Sequence, residues 1–176
     1  MNLTDVDWSK IPAPVDDGAA AHLPGLRLPA RALGATDGRQ IDLSRLPGRC
    51  TVYIYPRTGR PSQPMPDGWD MIPGARGCTP QSCAFRDHFA ALKDLGVDHL
   101  FGLSTQTTEY QAEAAARLHL PFTLLSDADH GFGQALSLPG FEANDEWLLN
   151  RMTLIIDAGV ITKTFYPVFP PDRNAQ

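Results

Sequence analysis

Several features are scarce in this sequence, and each scarcity excludes a class of protein. Its 15 lysines and arginines stand against 20 aspartates and glutamates, so no basic surplus is available to bind nucleic acid phosphates. No apolar run approaches the roughly 18 residues of a transmembrane helix, and the start MNLTDVDWSK lacks a basic patch followed by an apolar stretch. We therefore expect a soluble, cytoplasmic protein that binds neither nucleic acid nor membrane.

Cysteine is also scarce, with three residues in the chain. Together with the missing export signal, this odd count argues against a structural disulfide framework and favours free or redox-active thiols. A zinc site is a weaker alternative, since it needs about four ligands at close spacing. The histidines that might complete such a site are scattered singly, at His88, His99, His119 and His130.

The 176 residues suit one folded domain. Residues 1–25 contain three prolines and no sustained periodicity, so we expect an irregular N-terminal arm lying over a domain at 26–176. Within that domain, residues 57–77 form a long segment rich in proline and glycine. Loops of this length are uncommon in compact domains and are more often functional than idle.

Alternating strands and helices are predicted after the arm. Two short strands surround the hairpin signal at residues 36–38, and later strands are expected at 50–55, 97–104, 122–125, 152–156 and 160–165. Helices are predicted from an N-cap at Thr79 through to Leu95, from a capping box formed by Thr108 and Gln111, and at 130–136. Residues 140–147 have no clear pattern. The expected fold class is α/β, a mixed sheet with helices on both faces.

Cys78 lies one residue before the predicted N-cap of the first long helix. The unpaired N–H groups and partial positive charge at a helix start stabilise a thiolate, which is the nucleophilic form of cysteine. Arg76 adds positive charge nearby. Cys83 follows five residues later, and in an intact helix the two Cα atoms are about 8–9 Å apart, whereas a disulfide needs less than about 7 Å. We interpret the pair as an attacking and a resolving thiol on a segment that opens, although two small core residues remain an alternative.

Four segments carry a family resemblance: Tyr55-Pro56, GCTPQSCAFRD at 77–87, FGLST at 101–105 and LPFTLLSDADH at 120–130. With them the chain resembles the peroxiredoxins over roughly residues 26–169, most closely the atypical two-cysteine class called bacterioferritin-comigratory or Q type. The resemblance implies a thioredoxin-like fold and thiol-dependent reduction of hydrogen peroxide or small organic hydroperoxides. It further implies a thioredoxin-like reductant, no metal or organic cofactor, and a monomer or homodimer.

The resemblance also implies roles for individual residues. Cys78 matches the peroxidatic cysteine, and Cys83 matches the resolving cysteine that forms an intramolecular Cys78–Cys83 disulfide. Arg151 matches the arginine that holds the thiolate and polarises the peroxide, while an ordinary surface ion pair is its other interpretation. Cys50, at the start of the central strand, is expected to be a buried structural thiol.

The chain departs from the family pattern around the reactive cysteine. The family has proline seven residues and threonine three residues before that cysteine, where this chain has Met71 and Ala75. Cys78 follows Pro56 by 22 residues instead of seven, so the loop 57–77 contains an insertion of 15 residues. Thr58 is predicted to return the missing hydroxyl to the site if the loop folds back. Trp69 in this loop is expected either to cover the pocket or to anchor the loop.

Two other functions remain open from the sequence. Because Ala75 replaces the threonine, the chain is alternatively a catalytically impaired redoxin-fold protein that works as a binding or regulatory module. A protein disulfide oxidoreductase ranks last, because CTPQSC places four residues between its cysteines instead of the usual two.

The C-terminus is a further departure from the family pattern, since it ends at PPDRNAQ where related chains usually add a helix.

Overall fold

The computed structural model describes residues 6–176 and centres on a seven-stranded mixed sheet. The strands of the chain are β1 (Ala32–Ala35), β2 (Gln40–Asp42), β3 (Arg49–Ile54), β4 (His99–Ser104), β5 (Thr123–Ser126), β6 (Gly140–Ala143), β7 (Glu146–Leu149), β8 (Met152–Asp157) and β9 (Val160–Phe165). The order across the large sheet is β2-β1-β5-β4-β3-β8-β9. Strands β3, β4 and β5 run parallel, and the remaining pairs are antiparallel.

Four α-helices cover this sheet: α1 (Cys78–Asp87), α2 (Phe89–Asp94), α3 (Thr108–Arg117) and α4 (Gly131–Ala135). The alternation of side chains along β3 shows which face each helix covers. Val52 packs in a core cluster with Phe132 of α4, whereas Tyr53 packs in the opposite cluster with Phe85 of α1. Helices therefore lie on both faces of a mixed sheet, which confirms the predicted architecture.

The predicted start of the first helix was wrong by two residues. Gly77, with φ of 108° in the left-handed region, is the N-cap of α1, so the helix begins at Cys78 and not after Thr79. An alanine or larger residue rarely adopts this backbone conformation, whereas glycine does so freely. The correction matters because it places Cys78 inside the first turn. The helix also ends earlier than predicted, since the backbone breaks at His88 before α2 begins.

The predicted capping box of α3 was wrong as well. Thr107, one residue earlier than Thr108, is the N-cap, and its hydroxyl accepts from the backbone N–H of Tyr110 at 3.3 Å. Gln111 instead turns inward and is fully buried. It accepts a hydrogen bond from the Tyr55 hydroxyl at 2.6 Å. Gln111 therefore makes a tertiary contact instead of capping the start of its own helix.

A hairpin occupies the segment that had no clear pattern. Strands β6 and β7 pair antiparallel around Asn144 and Asp145, whose positive φ values of 50° and 59° are those of a tight hairpin turn. Phe141 and Leu148 of this hairpin pack against Trp69 of the inserted loop. The hairpin therefore supports the loop that precedes Cys78.

The two chain ends meet beside α1. The first five residues of the predicted N-terminal arm lie outside the described residues, and Trp8 in a short 3-10 helix donates its indole N–H to Asp172 at 2.9 Å. A second 3-10 helix, Pro171–Arg173, packs against α1. Among the described residues, no helix combines the length and apolarity that crossing a membrane requires.

Candidate active site

The Cys78 thiol lies in the first turn of α1 and is only 3% exposed. The first N–H groups of an α-helix have no partner within the helix, so they remain available to a negative charge beside this turn. The position of the turn depends on Gly77, because a Cβ atom added there would collide with Pro171 and Trp8. The chain ends thus fit closely around the start of the helix that carries the thiol.

Arg151 reaches the sulfur from the residue directly before β8. Its Nη2 donates to Cys78 Sγ at 3.2 Å and to the backbone carbonyls of Gly74, Ala75 and Arg76 at 3.1–3.2 Å. The residue is 3% exposed, and none of the ion pairs found within residues 6–176 includes it. The structure therefore contradicts the surface ion-pair interpretation and places a buried positive charge beside the thiol.

A buried hydrogen-bond chain, which the sequence analysis missed, fixes this guanidinium. Arg151 Nη1 donates to Gln81 Oε1, and Gln81 Nε2 donates to Asn174 Oδ1 at 2.8 Å. The same oxygen of Asn174 accepts from the hydroxyl of Thr153 at 2.7 Å. Gln81 is fully buried between the two ends of this chain. Its position in the CTPQSC segment was the only available signal, because Asn174 comes close only through the fold.

Cys83 lies in the same helix, α1, and its thiol is half-buried. Burial raises the pKa of this thiol, and the nearby Arg86 guanidinium partly opposes the shift. All three cysteines are free in the structure, and α1 is intact from Cys78 to Asp87. In an intact helix the two Cα atoms are about 8–9 Å apart, so a bond between Cys78 and Cys83 requires the first turn to open.

Cys50 is confirmed as a buried thiol. It is 1% exposed within the core cluster of the face opposite Cys78. Burial raises its pKa to about 12, so it stays protonated and unreactive at neutral pH.

The structure does not bring the Thr58 hydroxyl to the thiol, which corrects the prediction for this residue. The hydroxyl donates to Gln106 Oε1 at 3.2 Å, and the backbone N–H of Thr58 donates to the same oxygen at 2.9 Å. Thr58 is buried in this contact and is not among the residues that line the cleft at Cys78. The loop folds back, but the Thr58 side chain hydrogen-bonds to Gln106 and not to the thiol.

A small cleft opens at Cys78, and three arginines lie near its sulfur, two on the cleft side and one on the buried side. Arg57 and Arg76 line the cleft, whereas Arg151 approaches the sulfur from within the protein. Arg76 forms a two-pronged ion pair with Asp70 at 2.6 and 2.8 Å, which offsets much of its charge. No group of three or more histidine, cysteine or acidic side chains suited to a metal ion occurs within residues 6–176.

Comparisons with known proteins agree with this geometry. The Redoxin family matches residues 23–176. Peroxiredoxin Bcp of Escherichia coli (strain K12) is 34% identical over 134 residues, which cover 74% of this chain and 76% of that protein. Chloroplastic Peroxiredoxin Q of Oryza sativa subsp. japonica is 30% identical over 152 residues, covering 85% of this chain and 62% of that protein.

The fold is also found among solved structures. The crystal structure of Peroxidoxin BcpB from Mycobacterium tuberculosis has a TM-score of 0.67 at 22% identity, covering 86% of this chain and 90% of that chain. The thioredoxin-like peroxiredoxin fold expected from the sequence is therefore confirmed. The relatives favour a peroxidase over the binding module and the disulfide oxidoreductase. This chain belongs to the Redoxin family and, within it, to the peroxiredoxins of the Bcp and Q type, which makes it a thiol peroxidase.

Proposed function

We propose that this chain reduces hydrogen peroxide or small organic hydroperoxides through Cys78, with Cys83 as the resolving thiol. The contact that carries the proposal is the 3.2 Å hydrogen bond from Arg151 Nη2 to Cys78 Sγ at the start of α1. A charged donor stabilises the thiolate. Together with the helix N–H groups, it also stabilises the negative charge that develops as the peroxide bond breaks.

In the first step the Cys78 thiolate attacks the terminal oxygen of the peroxide. A sulfur–oxygen bond forms while the oxygen–oxygen bond breaks, and the leaving alkoxide or hydroxide takes a proton to become an alcohol or water. The sulfur loses two electrons and becomes a sulfenic acid, and the peroxide gains them. Arg151 stays beside the reacting atoms throughout, because three backbone carbonyls hold its guanidinium.

In the second step the thiolate of Cys83 attacks the sulfenic sulfur, a disulfide forms, and the hydroxyl group leaves as water. The first turn of α1 must unwind for this contact. Unwinding breaks the bond from Gln81 N to Gly77 O, which is 3.0 Å long, and frees the Gln81 side chain from Asn174 and Arg151. The amide of Gln81 is therefore a hinge point of the reaction cycle.

A thioredoxin-like dithiol closes the cycle by thiol–disulfide exchange, which returns two electrons to the cysteines. We place this antioxidant activity in the cytoplasm, where thiols stay reduced, because each turn of the cycle starts from both cysteines as thiols. The cycle uses no metal and no organic cofactor.

Thiol titration tests the proposal. One equivalent of hydrogen peroxide is expected to remove two of the three titratable thiols, and reduced thioredoxin is expected to restore them. Cys83→Ser should stop at a sulfenic acid that dimedone traps, whereas Cys78→Ser should lose no thiol. Cys50→Ala is the matched control and should lose both remaining thiols. Retention of all thiols by the wild-type chain, or equal loss from Cys78→Ser, would contradict the proposal.

A further inference from the structure

The cleft at Cys78 is small, with a volume of about 20 Å³. Two of its apolar walls, Met65 and Trp69, come from the inserted loop 57–77. A cavity that holds a single water molecule has a volume of about 10–15 Å³ on the same scale. The cleft therefore accommodates the two oxygen atoms of a peroxide, and a bulky organic group attached to them has to lie against its walls, at Met65 and Trp69.

The loop that forms these walls is anchored at several points. Trp69 is 2% exposed and packs on Phe141 of β6, with ring centroids 6.1 Å apart. At the start of the loop, Arg117 Nη2 donates to the carbonyl of Gly59 at 3.0 Å. A buried aromatic ring and a charged hydrogen bond hold the loop against the body of the protein. Moving the loop away from the cleft thus requires these contacts to break.

We propose that Met65 and Trp69 restrict the site to hydrogen peroxide and small hydroperoxides and exclude bulky organic hydroperoxides. The inference rests on the proposed function, since it concerns the substrate of Cys78. Both side chains belong to the loop 57–77, which leads directly into the helix that carries Cys78, so this restriction depends on the chain's own loop. Trp69 therefore combines the two roles that the sequence analysis gave as alternatives, as it lines the cleft and packs in the anchor of the loop.

A substitution of Met65 distinguishes the lining of the cleft from the anchoring of the loop. Met65 is only half-buried, so its truncation opens the cleft without removing the Trp69 anchor. Met71 offers a matched control in the same loop, because it is 66% exposed and does not line the cleft. A Met65→Leu variant preserves the apolar volume and serves as the conservative substitution.

The experiment compares second-order rate constants for oxidation of Cys78 by hydrogen peroxide and by cumene hydroperoxide, measured in single turnovers by titrating thiols in quenched samples. The wild-type chain should prefer hydrogen peroxide by at least about 100-fold, since groups that do not fit a pocket are rejected by about 10–200-fold for each small group. Met65→Ala should raise the cumene hydroperoxide to hydrogen peroxide ratio at least about tenfold. Met71→Ala and Met65→Leu should leave the ratio near the wild-type value.

The outcomes separate the two proposals. Equal rates with the two peroxides in the wild-type chain would overturn the restriction, and this result does not depend on any variant folding. A ratio for Met65→Ala equal to that of Met71→Ala would overturn it as well. If neither peroxide oxidised Cys78, the proposed function itself would fail.

Discussion

Replacing Asn174 with alanine tests whether the C-terminal segment helps to hold the active site together. Asn174 Oδ1 accepts hydrogen bonds from Gln81 and from Thr153, and both donors are at least 97% buried. An unsatisfied buried donor costs about 1–3 kcal/mol, so the loss of the shared acceptor should lower the free energy of unfolding by about 2–6 kcal/mol. For a chain of this length, 1 kcal/mol shifts the melting temperature by roughly 2–4 °C. We expect a fall of roughly 4–24 °C in the melting temperature, measured by thermal unfolding followed by circular dichroism.

The same substitution should slow the reaction of Cys78 with peroxide. Without Asn174, the Gln81 amide is free to turn away from Arg151, which then keeps only its backbone carbonyl partners and the sulfur itself. We expect Cys78 to be oxidised about tenfold more slowly in rapid-mixing experiments, which corresponds to about 1.4 kcal/mol of lost transition-state stabilisation.

Two further variants decide whether the reasoning holds. Asn174→Asp keeps an acceptor oxygen for both donors and should retain more stability than Asn174→Ala. Arg173→Ala removes an exposed neighbouring side chain and should match the wild-type chain in stability and rate. If Asn174→Ala behaved like Arg173→Ala in both measurements, the hydrogen-bond chain would have no role in positioning Arg151.

Three other predictions concern the glycine before the reactive cysteine and the two remaining thiols. Gly77→Ala should lower the free energy of unfolding in urea by about 1–3 kcal/mol more than Gly38→Ala, because both glycines have positive φ but only Gly77 is enclosed by side chains. Cys50 should resist iodoacetamide in the native chain and react after unfolding, because burial raises its pKa to about 12. Burial also raises the pKa of the Cys83 thiol; its thiolate fraction is therefore small at neutral pH, and disulfide formation should accelerate as pH rises from about 6 to about 9.

Each of these predictions has a contrary result. Equal destabilisation by the two glycine substitutions would show that the collision with the chain ends is unimportant. Alkylation of Cys50 in the native chain, at the rate of Cys83, would contradict its burial. A rate of disulfide formation that does not change with pH, measured under excess peroxide, would mean that ionisation of Cys83 does not control the second step.

Much of the fold was predictable because it depends on short-range patterns. The β-branched and aromatic run of β3 predicts a buried strand, and the structure confirms it as an internal strand paired on both sides. The start of α1 was wrong by two residues and that of α3 by one, since the N-cap depends on which residue leaves the helical backbone. The β6–β7 hairpin was missed because its short strands are only partly buried and carry a weak apolar pattern.

In the candidate site too, some residues were predictable from local sequence and others were not. Cys78, Cys83 and Arg151 are proposed from the sequence, because their neighbouring residues match a family pattern, and in the structure Arg151 contacts Cys78. Thr58 was misplaced, since the direction of a loop side chain depends on the partner that it meets, here Gln106. The pairing of Gln81 with Asn174 joins residues 93 positions apart, and no local pattern signals such a contact.

By itself, the sequence indicated the residues of the proposed chemistry: a cysteine at a helix start, a second cysteine five residues later, and an arginine at the start of a strand. Only the tertiary structure decided how that chemistry is enclosed. It brought Arg151 to 3.2 Å from the sulfur, gave the Thr58 hydroxyl to Gln106, and folded Met65 and Trp69 over the thiol. The physical reason is that backbone preferences depend on residues close together in the sequence. The partners of buried polar groups and the size of a cleft depend on segments that meet only after folding.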